Sequence, residues 1–472
     1  MNAAETVRHA INDQDERLAF IAQEIWSHPQ IGLQETFAAA LLAKELAEAG
    51  FKIEWGVGQM PTAFVATWGK GRPVLGFLGE YDALPGLSQT VAAAKQAVEV
   101  LGPGHGCGHN LFGTACMASA IALKTAMEQD NIAGTIRFYG CPAEETLVGK
   151  VFMARDGAFD DLDAALSWHP GSTNLVWNGS SLALNSFKVN FYGVAAHAGA
   201  EPEMGRSALD GVMLMDVGMN YLREHVMDKA RIHSVVTSGG QAPNVVPAFA
   251  QVWYFVRAPH RYQVDEIYAR VLQIAQGAAL MSGTRHEIEF ITGGYDLLPN
   301  NTLSSLLLQS MQAADAMRFT DQERSFAKDL QATFPAGSVQ RDFEWMQKSA
   351  RSAIAAAEVD NPLWEQVLPH SDTPPLMGGS TDIGDVSWIT PTAQLTTCCW
   401  PLGTPGHSWQ TVASSGSSIG VKGMLFAAQG MALAGLELLT KPALLQAARA
   451  EFSEAKKGKE YVTTLAKNSV PQ

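Results

Sequence analysis

Seven residues, GHGCGHN from Gly104 to Asn110, place the Cys107 thiol and the His105 and His109 imidazoles in one glycine-rich run. Thiolate, imidazole and carboxylate are the donors that zinc- and manganese-type ions take. Three other places carry the same donors: adjacent Glu144 and Glu145 in PAEET, His169 in SWHPG and His407 in GTPGHSWQ. Adjacent carboxylates suit divided work, because neighbouring loop side chains point apart. One can hold an ion while the other faces a substrate water. Each feature alone has a plainer reading: Cys-x-His as structural, Glu-Glu as solvated surface charge, His407 as a turn residue. Their combination is what points to chemistry. The remaining candidates read as structural. Cys116 and Cys141 fit a core, and Cys398 and Cys399 are strand neighbours facing opposite ways. His9, His225, His233, His260 and His286 read as surface or satisfied, His28 as a helix end, and His105 as a support for the donors.

Strands and helices must bring these donors together. The run from 4 to 50 has helical spacing and closes on Gly50. TAFVATWG and PVLGFLGEYDALPG are short β-rich runs closed by turns. NLFGTACMASAIALKTAMEQ reads as an apolar helix, and GTIRFYGCPAEE and LDAALSWHPG as strands running into polar loops. This alternation predicts an α/β layer with a mixed, largely parallel sheet, with every donor in a loop after a strand. From 183 to 303 the order becomes β-α-β-β-α-β, a ferredoxin-like unit inserted as a lid or dimerisation domain. A discontinuous catalytic domain, 1–182 and 304–472, surrounds it. Helices follow from 304, including one across 338–359, then the Gly/Pro/Ser-rich PHSDTPPLMGGSTDIGDVSW and an alanine-rich helix near 420–440.

Composition sets outer bounds. With 472 residues, two domains are the expectation. A net charge of −14 argues against nucleic acid or an anionic membrane surface as partner. No signal peptide is expected from the first residues, and no apolar run is expected to reach the ~20 residues of a membrane span. Five cysteines make no disulfide framework and fit a reduced, cytoplasmic setting.

The motifs HPQIGLQE, GEYDALPG, GHGCGHN, PAEE, HP, GVAAHAGAEPEMGRSALD, NVVPAFAQVWYFVR and GTPGHSWQ occur in that order. Together they resemble the dinuclear-metal amidohydrolase family of aminoacylases and carboxypeptidases, in the branch of auxin-conjugate and hippurate hydrolases. The likeness spans nearly the whole chain and is weakest over 310–365. It implies Cys107 as the bridging ligand, His109, Glu145, His169 and His407 as further ligands, and two divalent ions (Zn2+ or Mn2+) per subunit. It implies Glu144 as general base, Asp82 as the acid supporting a ligand, His197 as an oxyanion donor reaching a neighbouring subunit, and Asn244 and Arg257 as carboxylate binders. Asn110 and Tyr81 depart from the family pattern, where aspartate and methionine are common.

The resemblance implies hydrolysis of the amide bond of an N-acyl amino acid with a free carboxylate. Within that branch, length and the form of GHGCGHN and STDIGDVSW look most similar to the aminobenzoyl-glutamate hydrolases, a resemblance that implies an aminobenzoyl-glutamate-like substrate giving 4-aminobenzoate and glutamate, with another N-acyl amino acid, an indoleacyl-aspartate or a dipeptide as alternatives. The expected partners are that small molecule and a second copy of the chain, or a homologous subunit in a hetero-oligomer. Two readings of other classes are a metal-free cysteine hydrolase built on Cys107 and His109, and a non-catalytic or partner-dependent subunit.

Overall fold

The β-forming runs assemble into two sheets. The computed structural model describes residues 2–350, 359–371 and 373–471. The strands are β1 (Lys52–Trp55), β2 (Phe64–Lys70), β3 (Val74–Glu80), β4 (Gly134–Cys141), β5 (Ala164–Gly171), β6 (Asn174–Trp177), β7 (Ala183–Tyr192), β8 (Arg231–Ser238), β9 (Phe249–Ala258), β10 (Arg285–Gly294), β11 (Val367–Leu368) and β12 (Thr392–Cys398). The larger sheet has the order β1-β2-β4-β3-β5-β12-β6-β11. Its centre, β4-β3-β5-β12, is parallel; β1, β2 and β4 pair antiparallel on one side and β12 and β6 on the other. The sheet is therefore mixed with a parallel heart, as the alternation of elements predicts. All seven residues of β3, VLGFLGE, are buried, the mark of a strand covered on both faces.

The helices His109–Asp130 and Ser418–Thr440 pack together against this sheet. Small residues allow the close approach, and the Ser119 hydroxyl donates to the Ala428 carbonyl across the pair at 3.1 Å. Ser418–Thr440 is long and apolar enough to cross a membrane, with mean hydropathy 1.4, yet 83% of its apolar window is buried in protein. The expectation of no span-length apolar run is corrected here: such a helix exists, and it is a core helix.

The second sheet is antiparallel, in the order β10-β7-β9-β8, with helices Ala208–Arg223 and Arg261–Ser282 against it. This is the ferredoxin-like order expected for β-α-β-β-α-β. Along β9, buried residues alternate with more exposed ones, so the sheet hides one face. Its core, around Phe187, Met215, Tyr254 and Val271, shares no buried residue with that of the larger sheet.

The sequence reading passes over β1, β6, β11 and the helices Asp321–Gln331 and Pro442–Lys456. β11 pairs over only two residues, too short for any periodic signal. The helix expected across 338–359 runs Ser338–Ser349; 351–358 lie outside the described residues.

Candidate dinuclear metal site

The parallel heart of the sheet decides where the donors meet. β4, β3, β5 and β12 are neighbours, so the segments leaving their carboxyl ends lie side by side, where such sheets place their sites. β3 leads to Asp82 and on to Cys107 and His109, β4 to Glu144 and Glu145, and β12 to His407. Two donors correct the expectation that all sit in loops. His109 opens the helix His109–Asp130, and His169 lies within β5 near its end. Both gain a fixed backbone.

The glycines of the GHGCGHN run have local reasons. Gly108 has φ +72°, and a Cβ there would press on Pro170 and Trp400. A Cβ on Gly104 would stand 2.3 Å from the Leu87 carbonyl oxygen. Three non-glycine residues of the site also adopt left-handed backbone: Ala143 (φ 52°) and Leu147 (φ 57°), which flank Glu144–Thr146, and His407 (φ 51°). Such conformations persist where surroundings enforce them, commonly at functional sites. At Ala143, Glu35 does so: one carboxyl oxygen accepts from the Ala143 N–H at 2.8 Å and the other from the Thr62 hydroxyl at 3.0 Å.

Cys107, His109 and His169 bring one donor atom each to within 4.8 Å of one another, and so do Cys107, Glu145 and His407. The thiol thus belongs to two ligand sets. Cys107 Sγ is 3.2 Å from His169 Nε2, and His407 Nε2 is 3.4 Å from Glu145 Oε2. Glu144 falls with Glu80 and His109 in a third such set. Asp82 lies against two of the donor residues: Oδ1 is 2.8 Å from His109 Nδ1, while Oδ2 accepts from the Glu145 N–H at 2.9 Å. One carboxylate thereby orients the His109 imidazole and the turn carrying Glu145.

Sequence reasoning assigns no role to Glu35, Glu80, Lys150 or Asp382. Lys150 is fully buried, and its Nζ donates to Glu80 Oε1 at 2.7 Å and Asp382 Oδ1 at 2.6 Å. Glu80 Oε2 is 3.3 Å from His109 Nε2. Glu80 was findable, since it stands two residues before Asp82 on the same strand end and faces the same side. Lys150 was not, because a lysine on a short helix gives no sign of burial.

The electrostatics fit cations. Burial, with the nearby Glu80, Asp382 and Glu145 carboxylates, pushes the Glu144 carboxyl well above its usual range. Burial raises Glu145 to about 7 and, with the Glu145 charge beside it, lifts the Cys107 thiol strongly. Burial lowers His169 to about 3, keeping the ring neutral and its lone pair available. Burial opposes ionisation of Asp82, but the His109 charge and hydrogen bond outweigh it and hold that carboxyl low. Gathering so many acids in one buried place calls for positive charge, and divalent ions supply it while stabilising a thiolate. The buried atoms His109 Nε2 and Glu145 Oε1 have no hydrogen-bond partner, which leaves their lone pairs open to a cation. The donor set fits divalent metal ions.

The remaining expected residues divide. Arg257, on β9, faces the site: the charges of Glu144 and His407 act on it or feel it, its Nη1 donates to Ser380 Oγ at 3.3 Å, and its buried Nε lacks a partner. His197 and Asn244 are not brought to the donors. Both are exposed on the ferredoxin-like unit, where Asn244 O accepts from Ala198 N and the His197 ring from Gly199 and Ala200 N–H. His105 is buried against the Ile25 carbonyl, 3.1 Å away, and belongs to none of the ligand sets. The two departures from the family pattern have structural reasons. Asn110 donates to the Ala22 and Ser415 carbonyls, each at 3.2 Å, which an aspartate could not do. The Tyr81 hydroxyl donates to the Thr62 carbonyl at 2.6 Å.

Comparison with known proteins agrees with this geometry. Residues 183–280 match the family model described as a peptidase dimerisation domain. The chain is 43% identical, over 98% of its length and 97% of the relative's, to one of the subunits of the p-aminobenzoyl-glutamate hydrolase of Escherichia coli (strain K12). It is 28% identical to the Xaa-Arg dipeptidase of Mus musculus, covering 94% of this chain and 90% of that one. Among solved structures, a dinuclear metal-binding peptidase of the M20 family from Bacillus subtilis superposes with a TM-score of 0.53 at 17% identity, over 90% of this chain and 99% of that one. The chain belongs to the M20 family of metal-dependent amidohydrolases and peptidases.

Proposed function

We propose that this chain hydrolyses the amide bond of N-acyl amino acids bearing a free carboxylate, with p-aminobenzoyl-glutamate as the leading substrate and 4-aminobenzoate and glutamate as products. The observation that carries the reading is the Cys107 thiol shared by two ligand sets, with Glu144 beside them. The name of the 43% identical relative supports the substrate.

Cys107, His109, His169, Glu145 and His407 would hold two divalent ions, zinc favoured by the thiolate and manganese tolerated by the carboxylate and imidazoles. When bound, such a pair polarises an amide carbonyl and acidifies water. Glu144 takes the proton of the attacking water and returns it to the leaving amine, a transfer suited to a carboxyl whose affinity for protons is raised by burial. Arg257 offers its guanidinium to the substrate carboxylate. Asp82 holds His109 and the Glu145 turn in place.

We assign residues 1–182 and 304–472 to the catalytic domain and 183–303 to the lid and dimerisation domain. His197 and Asn244, exposed and away from their own chain's donors, would serve a partner's site, with His197 donating to the developing oxyanion. That partner is a second copy or a homologous subunit, and the setting is cytoplasmic. Mixing a His197→Ala chain with a Glu144→Gln chain should restore part of the activity; no restoration removes action in trans. The function itself is tested by incubating the purified chain with N-acyl amino acids and Mn2+ or Zn2+. Turnover lost to a chelator and regained with metal supports it. Turnover that survives chelation but not thiol alkylation would replace it with a metal-free cysteine hydrolase.

A further inference from the structure

A cavity of about 240 Å³ opens beside His169 on the side of β6 and β12. An apolar cavity of roughly 150 Å³ takes a benzene ring, so this one has room for a substituted ring. Its walls include Trp177, Trp345, Trp400, Pro374 and Met377, flat and polarisable surfaces that suit an aromatic ring. One wall comes from the helix Ser338–Ser349, in the stretch where the family resemblance is weakest. On that helix Asp342, Trp345 and Ser349 are spaced by three and four residues, so they share one face, and all three line the cavity.

Both polar side chains on that face can accept a hydrogen bond: the Asp342 carboxylate only accepts, while the Ser349 hydroxyl accepts and can also donate. Asp342 is the one carboxylate among the described lining residues, and both of its hydrogen bonds, from Ser172 Oγ and the Gly403 N–H at 2.8 Å each, fall on Oδ2. The Ser349 hydroxyl is buried, with the residue 5% exposed, and has no hydrogen-bond partner. A buried polar atom without a partner is costly unless a ligand completes it. No lysine or arginine lines the cavity among the described residues, so it does not suit the substrate's carboxylate, which Arg257 faces elsewhere.

We propose that this cavity is the acyl-group pocket and that Asp342 and Ser349 set its specificity, selecting an aromatic ring that carries a hydrogen-bond donor remote from the scissile amide. The assignment rests on the hydrolase reading above for the direction in which the substrate lies. It adds the residues that separate an amino-substituted benzoyl group from a plain benzoyl or an alkyl group. A site built to bond a polar substituent discriminates against analogues lacking it, because its own buried groups are then left unpaired.

The test uses binding and turnover on the metal-loaded full chain. Calorimetric titration with 4-aminobenzamide, benzamide and 4-nitrobenzamide should show the amino compound binding about tenfold more tightly than benzamide, and the nitro compound, whose oxygens would face the Asp342 carboxylate, no better than benzamide. Ser349→Ala and Asp342→Asn, each changing few atoms, should erase the preference, read as the ratio of 4-aminobenzamide to benzamide affinity within each variant. Hydrolysis of N-(4-aminobenzoyl)glutamate over N-benzoylglutamate should lose the same factor. Equal binding of the three amides, or a preference unchanged in both variants, overturns the proposal. A preference that holds while neither acyl-glutamate is hydrolysed overturns the hydrolase reading and leaves the pocket assignment standing.

Discussion

Replacing Lys150 by methionine tests the buried charge arrangement beneath the site. The Lys150 ammonium lies between Glu80 and Asp382, at 2.7 and 2.6 Å, with all three side chains 0–1% exposed. Removing one partner of a buried ion pair costs about 3–5 kcal/mol, because the charge left behind has neither water nor a counter-ion. Two carboxylates would be stranded here, so the upper end applies, against a total stability of about 5–15 kcal/mol. The assay is urea unfolding of metal-stripped protein, so that loss of metal does not enter the difference. Lys150→Met should lower the stability by about 5 kcal/mol at neutral pH. The deficit should shrink toward pH 5, since stranded carboxyls can take up protons instead of remaining charged. Adding Glu80→Gln and Asp382→Asn should recover most of the loss, because no buried charge then remains unpaired. A Lys150→Met protein within about 1 kcal/mol of wild type, or a triple variant no more stable than the single one, would refute the reasoning.

Three further outcomes are expected. Glu144→Gln should lower kcat by about 10²–10⁴-fold with metal content unchanged by elemental analysis. Arg257→Ala should raise KM for acyl-amino acids far more than it lowers kcat, and N-acyl amines without a carboxylate should show no such change. Asp385 is buried, which raises its carboxyl to about 7 despite bonds from Tyr295 N–H and Tyr461 OH. The folded pKa exceeds the unfolded one, so the chain is most stable when Asp385 is protonated. Its contribution to stability should fall as pH rises from about 4 to 7, and thermal melts of Asp385→Asn should show a shallower slope than wild type over that range.

The legible part of this protein follows its periodicities. The β-rich runs of β3 and β4 and the β-α-β-β-α-β series announced the two sheets, and the strand order of the smaller sheet followed from that series. The candidate donors were legible because thiol, imidazole and paired carboxylates are rare neighbours after strand ends. Glu35, Lys150 and Asp382 were hidden, because burial depends on contacts with residues 70 to 232 positions away. The cavity wall was hidden for the same reason. Asp342, Trp345 and Ser349 read as an ordinary helix face until β6, too short for a pattern, set Trp177 opposite them.

The central claim is a two-ion site bridged by Cys107. Equilibrium dialysis against Zn2+ or Mn2+ followed by elemental analysis tests it directly, comparing wild type with Cys107→Ala. Two ions per wild-type chain and at most one in the variant, with the fold intact by circular dichroism, is the predicted result. Fewer than two ions in the wild type, or two ions retained without the thiol, would contradict it.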